Sequence, residues 1–335
     1  MTMAVASQNS AWTAQAVDGP DSFAVTLSDK QRDAIVVAAR RMAARGMTIA
    51  DLWGRDIGLP ELRGTMRKII REVTQESGLV VLKGMPVEEL NEEETALAWH
   101  LTTAPLGRLR SQSGWGELMG RVEYVDDGRD WRGYTKTKEL NFHTDHADTV
   151  ALLCVRQGPA GGASRLVSQG ALREIIAEEN PEALALLNRG FPYAWFEEGP
   201  PDASGPVSDF NVPVLVEHKG RVQGVFIQSF MLAAAQAIER VLTKDEIAAI
   251  ELVSQVANRP GIALEFRMEP GHALIFDNLS MMHARTAFER SDNPSESRLL
   301  YRLWYATQPP RPRQPGIAQY EDALMRAYKD PSLAG

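Results

Sequence analysis

His143 and Asp145 stand two residues apart in Asn141-Phe142-His143-Thr144-Asp145, and His283 follows 140 positions after His143, in the run FDNLSMMHARTAF. In extended backbone, residues i and i+2 project from the same side of the chain, so the first pair can meet one metal ion. A third ligand so distant in sequence constrains the fold more than any local feature, because the chain must return across its own sheet to bring His283 to the His143–Asp145 segment. Two imidazoles and one carboxylate on one face of an octahedral ferrous ion leave three adjacent positions for other ligands. A His-x-Asp pair alone is commonly a surface turn, so the surroundings of each half decide the reading.

His283 follows the apolar run GHALIFDN, which the Pro270-Gly271 turn opens; this reads as a buried strand that delivers the histidine near its end. Fifteen residues beyond His283, Arg298 starts a second apolar run through Tyr305. Strand alternation puts Arg298, Leu300, Arg302 and Trp304 on one face and Leu299, Tyr301, Leu303 and Tyr305 on the other. Two arginines on a buried face require a negative partner, and a dicarboxylate co-substrate supplies one.

The remaining signals predict α+β architecture with an antiparallel core. Ser28 and Gln31 form a capping box ahead of DAIVVAARRMAARG, and Thr243 with Glu246 form another ahead of IAAIELVSQVAN. The sequence predicts an amphipathic helix in LPELRGTMRKIIREVTQESG, a strand in GLVVLKG and a helical insertion beginning at AAAQAIERVL. Residues 1–23, small and polar with a Gly19-Pro20 break, read as a mobile arm, and 24–335 as a single domain, since ligands so far apart must converge. The Pro/Arg-rich QPPRPRQPG reads as a plain loop before a terminal helix. His146, adjacent to Asp145, is expected to point away from the metal. His218 reads as a turn histidine, His100 and His272 as surface or packing residues, and Met281-Met282 as wall packing.

Lysine and arginine total 36 against 44 acidic residues, a net charge of −8, which argues against nucleic acid as the main partner. The lone Cys154 excludes an intrachain disulfide and lies in the apolar run TVALLCV, where a buried structural thiol and a reducing cytoplasm fit. No apolar run approaches the ~20 residues of a membrane span, and the opening residues lack a secretory pattern. The sequence leaves homo-oligomerisation open.

Taken in order, SGLVVLKGMP, NFHTDHADTVALLCVRQGPAGGASRLVS, PGHALIFDNLSMMHARTAFE and SRLLYRLWYA resemble the taurine dioxygenase-like (TauD/TfdA) family of iron(II)/2-oxoglutarate-dependent oxygenases over residues 79 to 307. The resemblance implies a double-stranded β-helix, the cupin-like jelly roll, with flanking helices. It implies Fe(II) bound by His143, Asp145 and His283, with 2-oxoglutarate and O2 as co-substrates and release of succinate and CO2. It further implies that Arg298 pairs with the distal carboxylate of 2-oxoglutarate and that Arg302 is the second basic residue of that strand. Ser164, after Gly161-Gly162, takes the place of a family threonine that touches the same carboxylate. Because Asp145 retains the carboxylate that halogenating relatives lack, hydroxylation of an unactivated C–H bond is the expected outcome. Desaturation, cyclisation, demethylation and isonitrile formation remain alternatives on the same iron site, and a non-catalytic ligand-binding barrel or a zinc hydrolase are alternatives of other classes. A small amino-acid-like or carboxylated metabolite is the expected substrate, with Gln112, Trp115, Arg121 and Arg285 as candidate contacts.

Overall fold

A computed structural model describes residues 10–114, 116–125, 135–196 and 199–328. Its strands are β1 (Ala24–Thr26), β2 (Leu79–Lys83), β3 (Arg108–Arg110), β4 (Gly120–Glu123), β5 (Leu140–His143), β6 (Thr149–Arg156), β7 (Ser164–Ser168), β8 (Val216–His218), β9 (Arg221–Gln223), β10 (Leu264–Phe266), β11 (Ala273–Asp277), β12 (Met281–Arg285) and β13 (Leu299–Ala306). The larger sheet runs β1-β2-β11-β6-β13-β3, with β4 also paired to β13; the smaller runs β10-β7-β12-β5. Apart from the parallel β1–β2 pair, the pairings within both sheets are antiparallel. Face to face, the two sheets form the double-stranded β-helix expected from the sequence.

The period-2 pattern explains how the larger sheet is buried on both sides. Val150, Leu152, Leu274, Phe276, Leu300 and Trp304 join the core between the sheets. Their neighbours Ala151, Leu153, Ile275, Leu299, Leu303 and Tyr305 pack outward with Ile35, Ile69 and Trp99, from the helices Asp29–Ala43, Arg63–Gln75 and Glu92–Thr103. Both expected capping boxes form. The expected helical insertion lies between β9 and β10 as Gln228–Ala237, which starts ahead of AAAQAIERVL and ends within it, and Lys244–Ala257; two further helices, Gln169–Glu179 and Pro181–Arg189, follow β7.

The N-terminal expectation needs correction over residues 10–23, which are docked rather than free. Trp12 is buried, and its Nε1 donates to the Ser77 carbonyl at 2.9 Å. The amides of Ala14 and Gln15 donate to Ile262 and Gly261 carbonyls at 3.0 and 2.9 Å. One large aromatic ring gives the small, polar segment its anchor; residues 1–9 lie outside the described residues.

Candidate metal centre

β5 and β12 pair so that His143 sits directly opposite His283. Their rings approach to a centroid distance of 4.2 Å. Asp145 lies two residues beyond the end of β5, and its carboxylate oxygens stand 3.9 Å from His143 Nε2 and 3.8 Å from His283 Nε2. The donor atoms of all three residues fall within 4.8 Å of one another. These separations are too long for hydrogen bonds and leave three lone-pair donors aimed at one space, which suits a cation. His143 Nδ1 lies 2.8 Å from the Asn141 carbonyl; that oxygen can only accept, so the proton belongs on Nδ1 and Nε2 is left bare for a metal.

Electrostatics keep the set ready for a metal. Burial pushes both imidazoles down, His283 to about 3 with His143 adding to the effect, so they stay neutral ligands. Burial pushes the Asp145 carboxyl up, but Arg302 and the two histidines outweigh it and hold it at about 2. Arg302 Nη1 donates to both Asp145 oxygens at 3.2 Å, and Trp304 Nε1 donates to Oδ2 at 2.9 Å.

Behind these three side chains, between the sheets, a cavity is lined by His143, His283, Ser164, Arg285, Arg298 and Arg302 over an apolar floor that includes Leu152, Leu274, Phe276 and Leu300. Arg298, immediately before β13, is 4% exposed, and no carboxylate among the described residues lies within ion-pair distance. Among the described residues its hydrogen bonding is limited to a 3.5 Å contact from Nη1 to the Val122 carbonyl, and its Nε has no partner there. Burial, with Arg285 nearby, pulls this guanidinium down to about 9. Ser164 begins β7 opposite Arg285. A Cβ on Gly162 would come within 3.0 Å of Arg298 Nε, so that glycine leaves the arginine its room.

The structure sorts the remaining candidates. Gln112 is drawn in: its Oε1 accepts from Arg302 Nε at 2.8 Å, and its Nε2 donates to the Arg302 carbonyl at 2.7 Å. Arg285 reaches the inner cavity, where it donates to the Lys136 carbonyl at 2.7 Å and to the Lys138 carbonyl. Arg121 is not brought to the site. Strand alternation turns it away from Val122, toward Glu123 at 2.6 Å and Glu92 at 2.9 Å. Trp115 lies outside the described residues. His146 turns away from the cluster of His143, Asp145 and His283, and its two nitrogens meet Tyr328 and Tyr320 hydroxyls at 2.9 and 3.2 Å.

Sequence reasoning missed Asn278, whose side chain grips the Asp145 backbone. It also missed Arg311 and Arg313, which pair with the buried Asp277 and Asp148; excess arginine in a proline-rich stretch was the available signal. A second, more open cavity on the outer side of His143 and Asp145 is lined by Gln112, Asn141, Gln228, Phe230, Arg302 and Trp304, among others.

A sequence profile of the family described as "Taurine catabolism dioxygenase TauD, TfdA family" matches residues 45–304. The chain belongs to this family. As a TauD, TfdA family member it is a 2-oxoglutarate-dependent dioxygenase that uses Fe(II), 2-oxoglutarate and O2. Similar relatives include FR-33289 synthase of Streptomyces rubellomurinus, 26% identical over 302 residues that cover 88% of each chain. Taurine hydroxylase-like protein SAT17 of Stachybotrys chartarum is 24% identical over 309 residues, 88% of this chain and 77% of the relative. Among solved structures, asparagine oxygenase in complex with Fe(II), 2S,3S-3-hydroxyasparagine and succinate matches with a TM-score of 0.64 and 21% identity, over 84% of this chain and 93% of that one. The non-haem iron oxygenase OrfP, in complex with Fe and alpha-ketoglutaric acid, gives 0.62 and 16% over the same shares. Both share the TauD, TfdA fold seen here. Among the described residues, no helix is long and apolar enough to cross a membrane.

Proposed function

We propose that His143, Asp145 and His283 hold the iron, that Arg298 with Ser164 receives the distal carboxylate of 2-oxoglutarate, and that the enzyme hydroxylates an unactivated C–H bond of a small amino-acid-like or carboxylated metabolite. The observation that carries this reading is Arg298: a buried guanidinium without a carboxylate partner among the described residues, in the same cavity as three converging metal donors. A buried charge without a partner is costly, and a dicarboxylate whose other end chelates the metal offsets that cost. When bound, iron would supply the place where O2, the oxidant, is reduced: two of its electrons would come from 2-oxoglutarate, oxidised to succinate and CO2, and two from the C–H bond that gains the oxygen.

The chain's own residues orient and shield. Arg298 sets which end of the 2-oxo acid faces the metal, and its planar fork favours a carboxylate over a neutral group. Leu152, Leu274, Phe276 and Leu300 give the co-substrate's methylenes an apolar surface and exclude water. On the outer side, Arg302 lines the second cavity as well as the first. It supports an anionic group on the substrate, with Gln112 holding the guanidinium in place. Two structural neighbours solved in complex with hydroxy-asparagine and hydroxy-arginine support an amino-acid-like substrate. In this reading residues 24–335 act as one catalytic unit on a small molecule.

The test is substrate-stimulated succinate formation by the Fe(II)-loaded enzyme across free amino acids, other carboxylated metabolites, sulfonates and phosphonates, with product mass recorded. A hit among carboxylated compounds that gains one oxygen atom is expected. Stimulation only by compounds without a carboxylate, or a product lighter by two hydrogens, would overturn the substrate class or the outcome respectively.

A further inference from the structure

We propose that Asn278 is the positioning residue of the metal centre, the side chain that fixes Asp145 relative to His283; the proposal rests on the assignment of His143, Asp145 and His283 as the iron ligands. β5 ends at His143 and β6 starts at Thr149, so Asp145 lies between two strands where no sheet ladder holds its backbone. Both of its main-chain groups are instead satisfied by one side chain. Asn278 Oδ1 accepts from the Asp145 amide at 2.8 Å, and Asn278 Nδ2 donates to the Asp145 carbonyl at 2.7 Å and to the Ala147 carbonyl at 2.8 Å. The Asn278 amide adds a 2.9 Å bond to the Asp148 carbonyl.

An asparagine at a strand-to-strand turn ordinarily bonds its own turn. Here all three side-chain bonds cross to a segment more than 130 positions away, while the turn itself is closed by its neighbour, Asp277 Oδ1 accepting from the Leu279 amide at 3.0 Å. Asn278 is 2% exposed and lies between β11 and β12, five residues before His283, so the turn that aims one histidine also grips the carboxylate ligand. The turn is fixed from outside: Arg311 pairs with both Asp277 oxygens at 2.8 Å and donates to the Asp148 carbonyl at 3.1 Å. An amide side chain is required, because the site asks for one acceptor and two donors on a single short stem. Aspartate offers the acceptor but places a second oxygen against two carbonyls.

The experiment compares Co(II) binding to the full-length apoprotein by calorimetry and by the visible d–d bands, with thermal stability recorded for each variant. His283→Ala locates the probe: its loss of binding assigns Co(II) to the triad, whereas undiminished binding would remove the triad assignment and this proposal with it. Given that loss, Asn278→Ala and Asn278→Asp should each weaken Co(II) by about 10- to 100-fold, the usual cost of losing a residue that orients a metal ligand, and alter the d–d bands. Val73→Ala, a cavity variant on the outer helix Arg63–Gln75, should lower the melting temperature and leave Co(II) affinity unchanged. If Asn278→Ala does not fold, Asn278→Ser, too short to span both main-chain groups, carries the same expectation. Affinity and spectrum within twofold of wild type in the folded Asn278 variants would overturn the proposal.

Discussion

Arg298→Met separates what the arginine costs the fold from what it contributes to co-substrate binding. Pulled down to about 9 by burial, the guanidinium carries a penalty on its charged form of roughly 4–5 kcal/mol at ~1.4 kcal/mol per pH unit. The sign follows from linkage. The folded state binds the proton less tightly than the unfolded chain, so the penalty is full at every pH below about 9 and fades only above it. Methionine fills similar volume without the charge, and exchanging a poorly compensated buried charge for an apolar side chain gains on the order of 1–4 kcal/mol. The apoprotein of Arg298→Met should therefore melt above wild type throughout about pH 6–8. Adding 2-oxoglutarate with Fe(II) under anaerobic conditions should shift the difference by about 2.7 kcal/mol in favour of wild type, its gain at a hundredfold excess over its dissociation constant, while the variant gains little from 2-oxoglutarate. Calorimetric melting with and without the ligands measures both increments. An Arg298→Met apoprotein no more stable than wild type, yet still stabilised in full by 2-oxoglutarate, would refute the reasoning.

His143→Ala, Asp145→Ala and His283→Ala should each abolish product formation and weaken metal binding, read by succinate assay and Fe(II) calorimetry; Asp145→Gly should leave hydroxylation badly impaired. Arg298→Lys keeps the charge but loses the two-pronged geometry, and should raise the apparent 2-oxoglutarate constant by about one to two orders. Arg302→Lys should raise it less, because Arg302 is engaged with Asp145 and Gln112, and steady-state titration of both variants checks the ranking. Buried His100, held down to about 4 by desolvation, refuses a proton that the unfolded chain accepts below the ordinary histidine range. Stability should thus fall as pH drops from ~6.5 toward 4, and between pH 7 and 5 wild type should lose about 2 kcal/mol more than His100→Gln, measured by urea unfolding.

The clustering of the three donors was legible because each half carries a local signature: a two-residue spacing for His143 and Asp145, and an apolar strand for His283. Alternation along β13 was legible for the same reason, and the structure puts Leu300 and Trp304 in one core and Leu299 and Leu303 in the other. Arg121 was misassigned because composition reveals a cation but not its partners; the β4 pleat sends it to Glu92 and Glu123. The helix carrying Glu92 lies far upstream, so no local pattern announces that pairing.

The sequence by itself determined the strands that carry His143, His283 and Arg298, the capped helices and the side-by-side placement of His143 and Asp145, since periodicity, capping and spacing act over a few residues. Only the tertiary structure decided how distant segments satisfy one another: Trp12 docking on Ser77, Gln112 steadying Arg302, Arg311 and Arg313 pairing with Asp277 and Asp148, and Asn278 holding Asp145. The physical reason is that a buried polar group needs some partner but its chemistry does not name which one; the folded path of the chain makes that choice.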